Sequence, residues 1–221
     1  MKHIVIDLEM NPINKYDEAR DICKDEIIEI GAVMLDEHLH EIASFRTYVK
    51  PEYNEIIESR ITALTGITTE MVQNAPCFRE ALRMFTHWCL ACGDDITVYA
   101  WSENDYMQIS KEMALKNYHA ESVEARILSE PWSDFQHEFD TGLGFDRQLS
   151  LKMALDMAGL EFNGRAHDAL DDARNTAELL QVFRDEVRFN KTLRIIKETM
   201  EPTPCTNTLG DLFDFSMVEC A

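Results

Sequence analysis

Hydrophobic positions set the elements of this chain. Near the start, Ile4-Val5-Ile6-Asp7-Leu8-Glu9 is an apolar run with two carboxylates set into its far end. Side chains of an extended strand alternate faces at ~3.3 Å per residue. Asp7 and Glu9 therefore share one face with Val5, and Ile4 and Ile6 take the other. The two acidic Cα atoms would lie ~7 Å apart. A polar loop over residues 11–25 follows. Residues 27–35 read as a buried strand, 36–38 as a turn, and 41–49 as a third strand in which Ile42, Phe45 and Tyr48 alternate. Short connections make these strands an antiparallel meander.

Helical spacing begins after Lys50-Pro51. Residues 55–66 read as a short helix and loop, and Thr68 or Thr69 caps another helix. Phe78, Leu82, Phe85 and Cys89 fall on one face of a helix over 78–90. Residues 96–101 read as a fourth strand and 105–116 as a helix, with 135–139 an edge strand and 141–144 a loop. Ser150 caps a helix ending near Gly159, and the last long helix runs from Ala166 to about Asn190. Pro202 and Pro204 mark a break, so a domain over 1–200 is followed by an acidic tail over 201–221. Three antiparallel strands, then helix, strand, helix, strand, helix, predict an α/β fold. Its mixed five-stranded sheet, antiparallel strands first and parallel strands after, is flanked by helices. The layout resembles the ribonuclease-H-like fold.

Composition narrows the function. The net charge is −20, from 41 acidic against 21 basic residues. Loose binding to long nucleic acid draws its affinity from Lys and Arg, so this balance argues against it. It suits multivalent metal. No stretch approaches the ~20 apolar residues of a membrane span. Met1-Lys2-His3 leads straight into the first strand without an export signal, so a cytoplasmic chain with reduced thiols is expected. Cys89-x-x-Cys92 lacks the second pair a zinc site needs and ends an amphipathic helix, which assigns it to packing.

Acids buried beside a strand cost stability unless something pairs with them. Asp105, opening the helix after the fourth strand, adds a third to Asp7 and Glu9. A fourth comes from His167-Asp168-Ala169-Leu170-Asp171-Asp172. Ala169, Ala173, Ala177 and Leu180 form a stripe at helical spacing that lets the helix approach the sheet, and Asp172 lies on its border. Asp168 and Asp171 suit the helix N-terminus as first-turn charges. Read singly, each piece also fits an ordinary capped helix or strand end.

Taken together, the Asp7-x-Glu9 pair, Asp105 and the His167-x4-Asp172 spacing resemble the DEDDh 3′–5′ exonucleases. That family includes the proofreading subunit of bacterial DNA polymerase, oligoribonuclease, RNase T, and the histone-mRNA and KinA-pathway-inhibitor type exonucleases. Residues 165–173 (RAHDALDDA) and 61–68 (ITALTGIT) are most like the last group, and the resemblance covers about residues 3–188. The pattern departs from the family at Met10, where many members carry a small or hydroxyl residue. The tail after Asn190 matches nothing in the family.

The resemblance implies metal-dependent hydrolysis of the terminal phosphodiester at a 3′ end, releasing nucleoside 5′-monophosphates. It implies two Mg²⁺ or Mn²⁺ ions, with Asp7 bridging both, Glu9 and Asp172 on the nucleophile side, Asp105 supporting the second, and His167 as general base. It marks Met10, Leu64, Trp101 and His167 as substrate contacts. With Arg60, Arg147, Lys152 and Arg165 as the few candidate cationic contacts, the expected substrate is a short or single-stranded nucleic acid 3′ end, RNA or DNA. A proofreading or regulatory subunit acting through a protein partner is the alternative, with the C-terminal tail as the candidate docking segment. A scaffold that had lost catalysis would lack a ligand, and all five positions are filled.

Overall fold

A computed structural model describes residues 1–91, 93 and 95–200 of the chain. The expected tail over 201–221 and Cys92 lie outside the described residues. The strands are β1 (Lys2–Pro12), β2 (Asp25–Leu35), β3 (Glu41–Tyr48), β4 (Ile96–Ala100) and β5 (Ser133–Asp134). The helices are α1 (Ser59–Thr65), α2 (Thr69–Val72), α3 (Phe78–Leu90), α4 (Glu103–Leu115), α5 (Ala125–Leu128), α6 (Phe135–Leu143), α7 (Leu151–Ala158), α8 (Ala169–Arg184) and α9 (Glu186–Met200). One sheet has the order β3-β2-β1-β4-β5. β1 pairs antiparallel with β2 and parallel with β4, and β4 pairs parallel with β5. This is the expected mixed sheet.

The two faces of β1 are covered separately. Ile4, Ile6 and Leu8 pack under α3 with Phe78, Leu82, Phe85 and the free thiol of Cys89. Burial pushes that thiol's pKa up, as the packing assignment requires. Val5 faces the other way, among Phe135, Phe139, Leu179 and Leu180. Among the described residues no helix is long and apolar enough to cross a membrane.

Helix α8 sits unusually close to the sheet. A Cβ on Gly31 of β2 would lie 2.2 Å from the backbone of Ala169, so only glycine fits beneath the first turn. Ala169, Ala173 and Ala177 are buried, as the alanine stripe predicted.

Four expectations are corrected. Residues 135–139 are not an edge strand. Asp134 caps α6 by accepting from the His137 amide at 2.9 Å, and the Phe135 and Phe139 rings meet 6.1 Å apart at an i,i+4 spacing. The strand there is Ser133–Asp134 alone, and residues 141–143, expected in a loop, are the last of α6. The last helix is two helices. Asp185 leaves the helical region at ψ 104 and its carboxylate accepts from the amides of Val187 and Arg188, starting α9. Helix α8 also starts later than expected, because His167 has φ 63 and Asp168 is the N-cap.

Candidate active site

β1 outruns its parallel neighbour. Its pairing with β4 ends at Ile6–Ala100, whereas its pairing with β2 continues to Pro12. Beyond Ile6 one edge of β1 is therefore open, and a cavity of about 450 Å³ forms there. Asp7 and Glu9 from β1, Asp105 from α4, Asp172 from α8 and His167 from the loop before it all line that cavity. Met10, Trp101 and Lys152 line it too. Asp105 stands in the first turn of α4, whose N-cap Ser102 accepts from the Asn104 amide.

Ligand atoms of Glu9, His167 and Asp172 lie within 4.8 Å of one another. The acids crowd one another in a buried setting. Burial, then Asp105, Asp172, Glu9 and Glu29, raise the Asp7 carboxyl well above its ordinary range. Burial and the neighbouring Asp172 carry Glu9 to about 8. Asp105 rises to about 7, mainly through burial. Asp172 rises to about 6 through burial, opposed by the His167 amide it accepts. Four carboxylates, each with its pKa raised by burial and by crowding with its neighbours, are a donor set that hard divalent cations match.

The His167 loop is fixed by the helix that follows. The amide of His167 donates to Asp172 at 2.9 Å, and the amide of Arg165 donates to Asp171 at 2.8 Å. Gly164, at φ 87, leaves room for that Asp171 carboxylate. Asp168 accepts from the Asp171 amide and pairs with Arg46 at 2.7 Å. Arg46 also pairs with the fully buried Glu29 at 2.6 Å, and the other Glu29 oxygen accepts from the Ala169 amide.

Leu64 stands in the last turn of α1 rather than in a loop, and at 47% exposure it is not core. The Arg165 guanidinium donates to the Leu64 carbonyl at 3.3 Å. It lies over Gly66, where any Cβ would collide with it. Of the other candidate cations, Arg60 is paired with Glu58 and Arg147 lines a different cavity. The sequence reading missed Glu29 and the lining residues Asn104, Ser150 and Phe162. Glu29 carried a signal, a charge inside the apolar run of residues 27–35. The other three have none, because only the fold brings them to the cavity.

Residues 4–180 match the model of the RNase T exonuclease family. The chain is similar to 3′-5′ exoribonuclease 1 of Rattus norvegicus, 26% identical over 185 residues that cover 76% of this chain and 50% of the relative. It spans about half the length of that relative. It is also similar to the DNA polymerase III subunit epsilon of Aquifex aeolicus, 32% identical over 186 residues, covering 84% of this chain and 82% of the relative. In fold it is similar to the nuclease domain of 3′hExo, a DEDDh family member bound to rAMP. That likeness has TM-score 0.71 and 23% identity, covering 82% of this chain and 90% of that one.

Proposed function

Because this chain belongs to the RNase T exonuclease family, we propose that it is a 3′–5′ exonuclease acting on short or single-stranded 3′ ends and releasing nucleoside 5′-monophosphates. The observation that carries this reading is the convergence of Asp7, Glu9, Asp105, Asp172 and His167 on one cavity. Residues 1–200 are the exonuclease domain of this reading.

Asp7, Glu9, Asp105 and Asp172 would hold two Mg²⁺ or Mn²⁺ ions. A divalent cation bound there supplies positive charge that offsets the acids and the phosphate oxygens. His167 accepts the proton of the attacking water, and Asp172 holds His167 in place through its amide. Leu64, Met10 and Trp101 grip the terminal nucleotide by apolar contact, and Lys152 faces its phosphate. The free thiols of Cys23, Cys77 and Cys89 suit the cytoplasm, where they stay reduced.

The test is mononucleotide release from matched RNA and DNA oligomers with Mg²⁺ or Mn²⁺. Release from the free 3′ end, absent with Asp7→Asn, is expected. No release from either oligomer, or equal release by the variant, would overturn the reading. Leu64→Ala should raise KM several-fold with little change in melting temperature, since its side chain is already exposed.

A further inference from the structure

A second cavity, of about 520 Å³, lies between α4 and the segment joining β1 to β2. It adjoins the acidic cavity, because Met10 and Asn104 line both. One wall is a stripe of α4, Asn104, Met107, Gln108 and Lys111, whose spacing puts them on one face. The stripe starts one residue before the active-site Asp105. Arg20 and Lys24 rise from the opposite wall.

The groove is preformed. Gln108 ties its walls together by donating to the Asp25 carbonyl at 2.7 Å, and Arg20 is anchored on the Ile13 carbonyl. Its cations outnumber its acids. Arg20, Lys24 and Lys111 form no ion pair among the described residues, although the chain carries −20 overall. Asp21 and Asp25 share the cleft, so the cations do not face an empty field. Exposed apolar side chains stand between them, Ile22 at 51% and Met107 at 42%. Cations interleaved with exposed apolar surface suit a single strand, whose phosphates and base faces are both available.

From this geometry we infer that the groove is a track for the nucleotides behind the scissile bond, with Arg20, Lys24 and Lys111 taking their phosphates. The inference rests on the exonuclease reading and adds a specificity determinant to it. From Asn104 to Lys111 the helix rises ~10 Å, about three nucleotides of a stacked strand. Efficiency should therefore grow from a dinucleotide to about a tetranucleotide or pentanucleotide and then level off. A long basic channel would keep improving.

Lys24 and Lys111 are exposed, so Lys24→Glu with Lys111→Glu should leave folding intact. Arg188→Glu with Lys191→Glu, exposed on α9, is a control of equal charge change. The measurement is kcat/KM on single strands from dinucleotide to octanucleotide at several salt concentrations. The groove variant should keep dinucleotide turnover and lose the gain with length, about tenfold, with a salt slope shallower by about 0.7 for each phosphate contact removed. The control should keep the gain. A groove variant that retains the gain, a control that loses it equally, or a wild type indifferent to length would each overturn the track. Equal loss on the dinucleotide would overturn it as well, because the lysines would then act on the site itself. Binding of a labelled single-stranded pentanucleotide to Asp7→Asn protein, with and without the groove changes, supplies an independent readout. If wild-type protein releases no nucleotide, the exonuclease reading fails. The binding comparison still decides the groove, with about tenfold weakening expected and unchanged binding overturning it.

Discussion

Asp172 serves two neighbours at once. One carboxylate oxygen accepts the His167 amide at 2.9 Å, and the group also stands within 4.8 Å of ligand atoms of Glu9 and His167. Two substitutions separate these roles. Asp172→Asn keeps an acceptor and removes the charge, so metal binding and turnover should fall while melting is nearly unchanged. Asp172→Ala also frees the His167 amide and should cost about 1 kcal/mol more in stability. Equal melting curves for the two would show that the amide contact contributes nothing. His167→Ala should lower kcat by about a hundredfold or more with KM little changed, the signature of a lost proton acceptor. A loss confined to KM would remove His167 from the chemistry. The acids also set a pH dependence. The Glu9 carboxyl is raised from 4.5 to about 8 in the folded chain, so the unfolded chain releases that proton first. Metal-free stability should therefore fall as pH climbs between those values. Melting curves in chelator should shift down across that window, and millimolar Mg²⁺ should flatten the trend. A metal-free curve that rises with pH would contradict the shift.

Between elements, contact depends on two glycines. Gly31 lets the first turn of α8 rest on β2, and Gly66 lets Arg165 cross the end of α1. Gly66, at φ 76, is also in the left-handed region. Gly66→Ala should cost about 1–2 kcal/mol from backbone strain alone, plus the displaced guanidinium. In an Arg165→Ala background the second part vanishes, so the two changes should be less than additive. Additive melting shifts would show that Arg165 does not rest there. Arg165→Ala by itself should raise KM, because α1 carries Leu64 beside the His167 loop. How far the elements were legible follows from the same contacts. β1 and β2 were readable as apolar runs between polar segments, β3 by its alternation, and α3 by one apolar face at helical spacing. Residues 135–139 misled because Phe135 and Phe139 are fully buried in either period, and the deciding signal was the cap at Asp134. The division between α8 and α9 was carried by Asp185, a capping residue inside a helical pattern. The convergence of the acids and His167 on one cavity was expected from the family pattern they resemble, since each piece alone also fits a cap or a strand end. The Arg46–Glu29–Asp168 bridge was not, since Arg46 and Asp168 stand 122 residues apart and nothing local announces their pairing.

The molecule as a whole places the cavity's β1 acids and His167 in structures of different firmness. Its net charge of −20 opposes compaction, so moderate NaCl should raise the melting temperature of metal-free protein by screening repulsion. A decrease would mean that ion pairs such as Lys116 with the buried Glu26 and Glu112 outweigh that repulsion. β1 is bonded along both edges up to Ile6, whereas residues 164–168 are held by side-chain carboxylates at a helix end. Amide deuterium should enter residues 164–168 long before it enters residues 4–6. Thermal inactivation should then come in two stages. Warming that melts the short loop would silence turnover while Asp7 and Glu9 stayed in place on β1, and cooling would restore it without refolding the sheet.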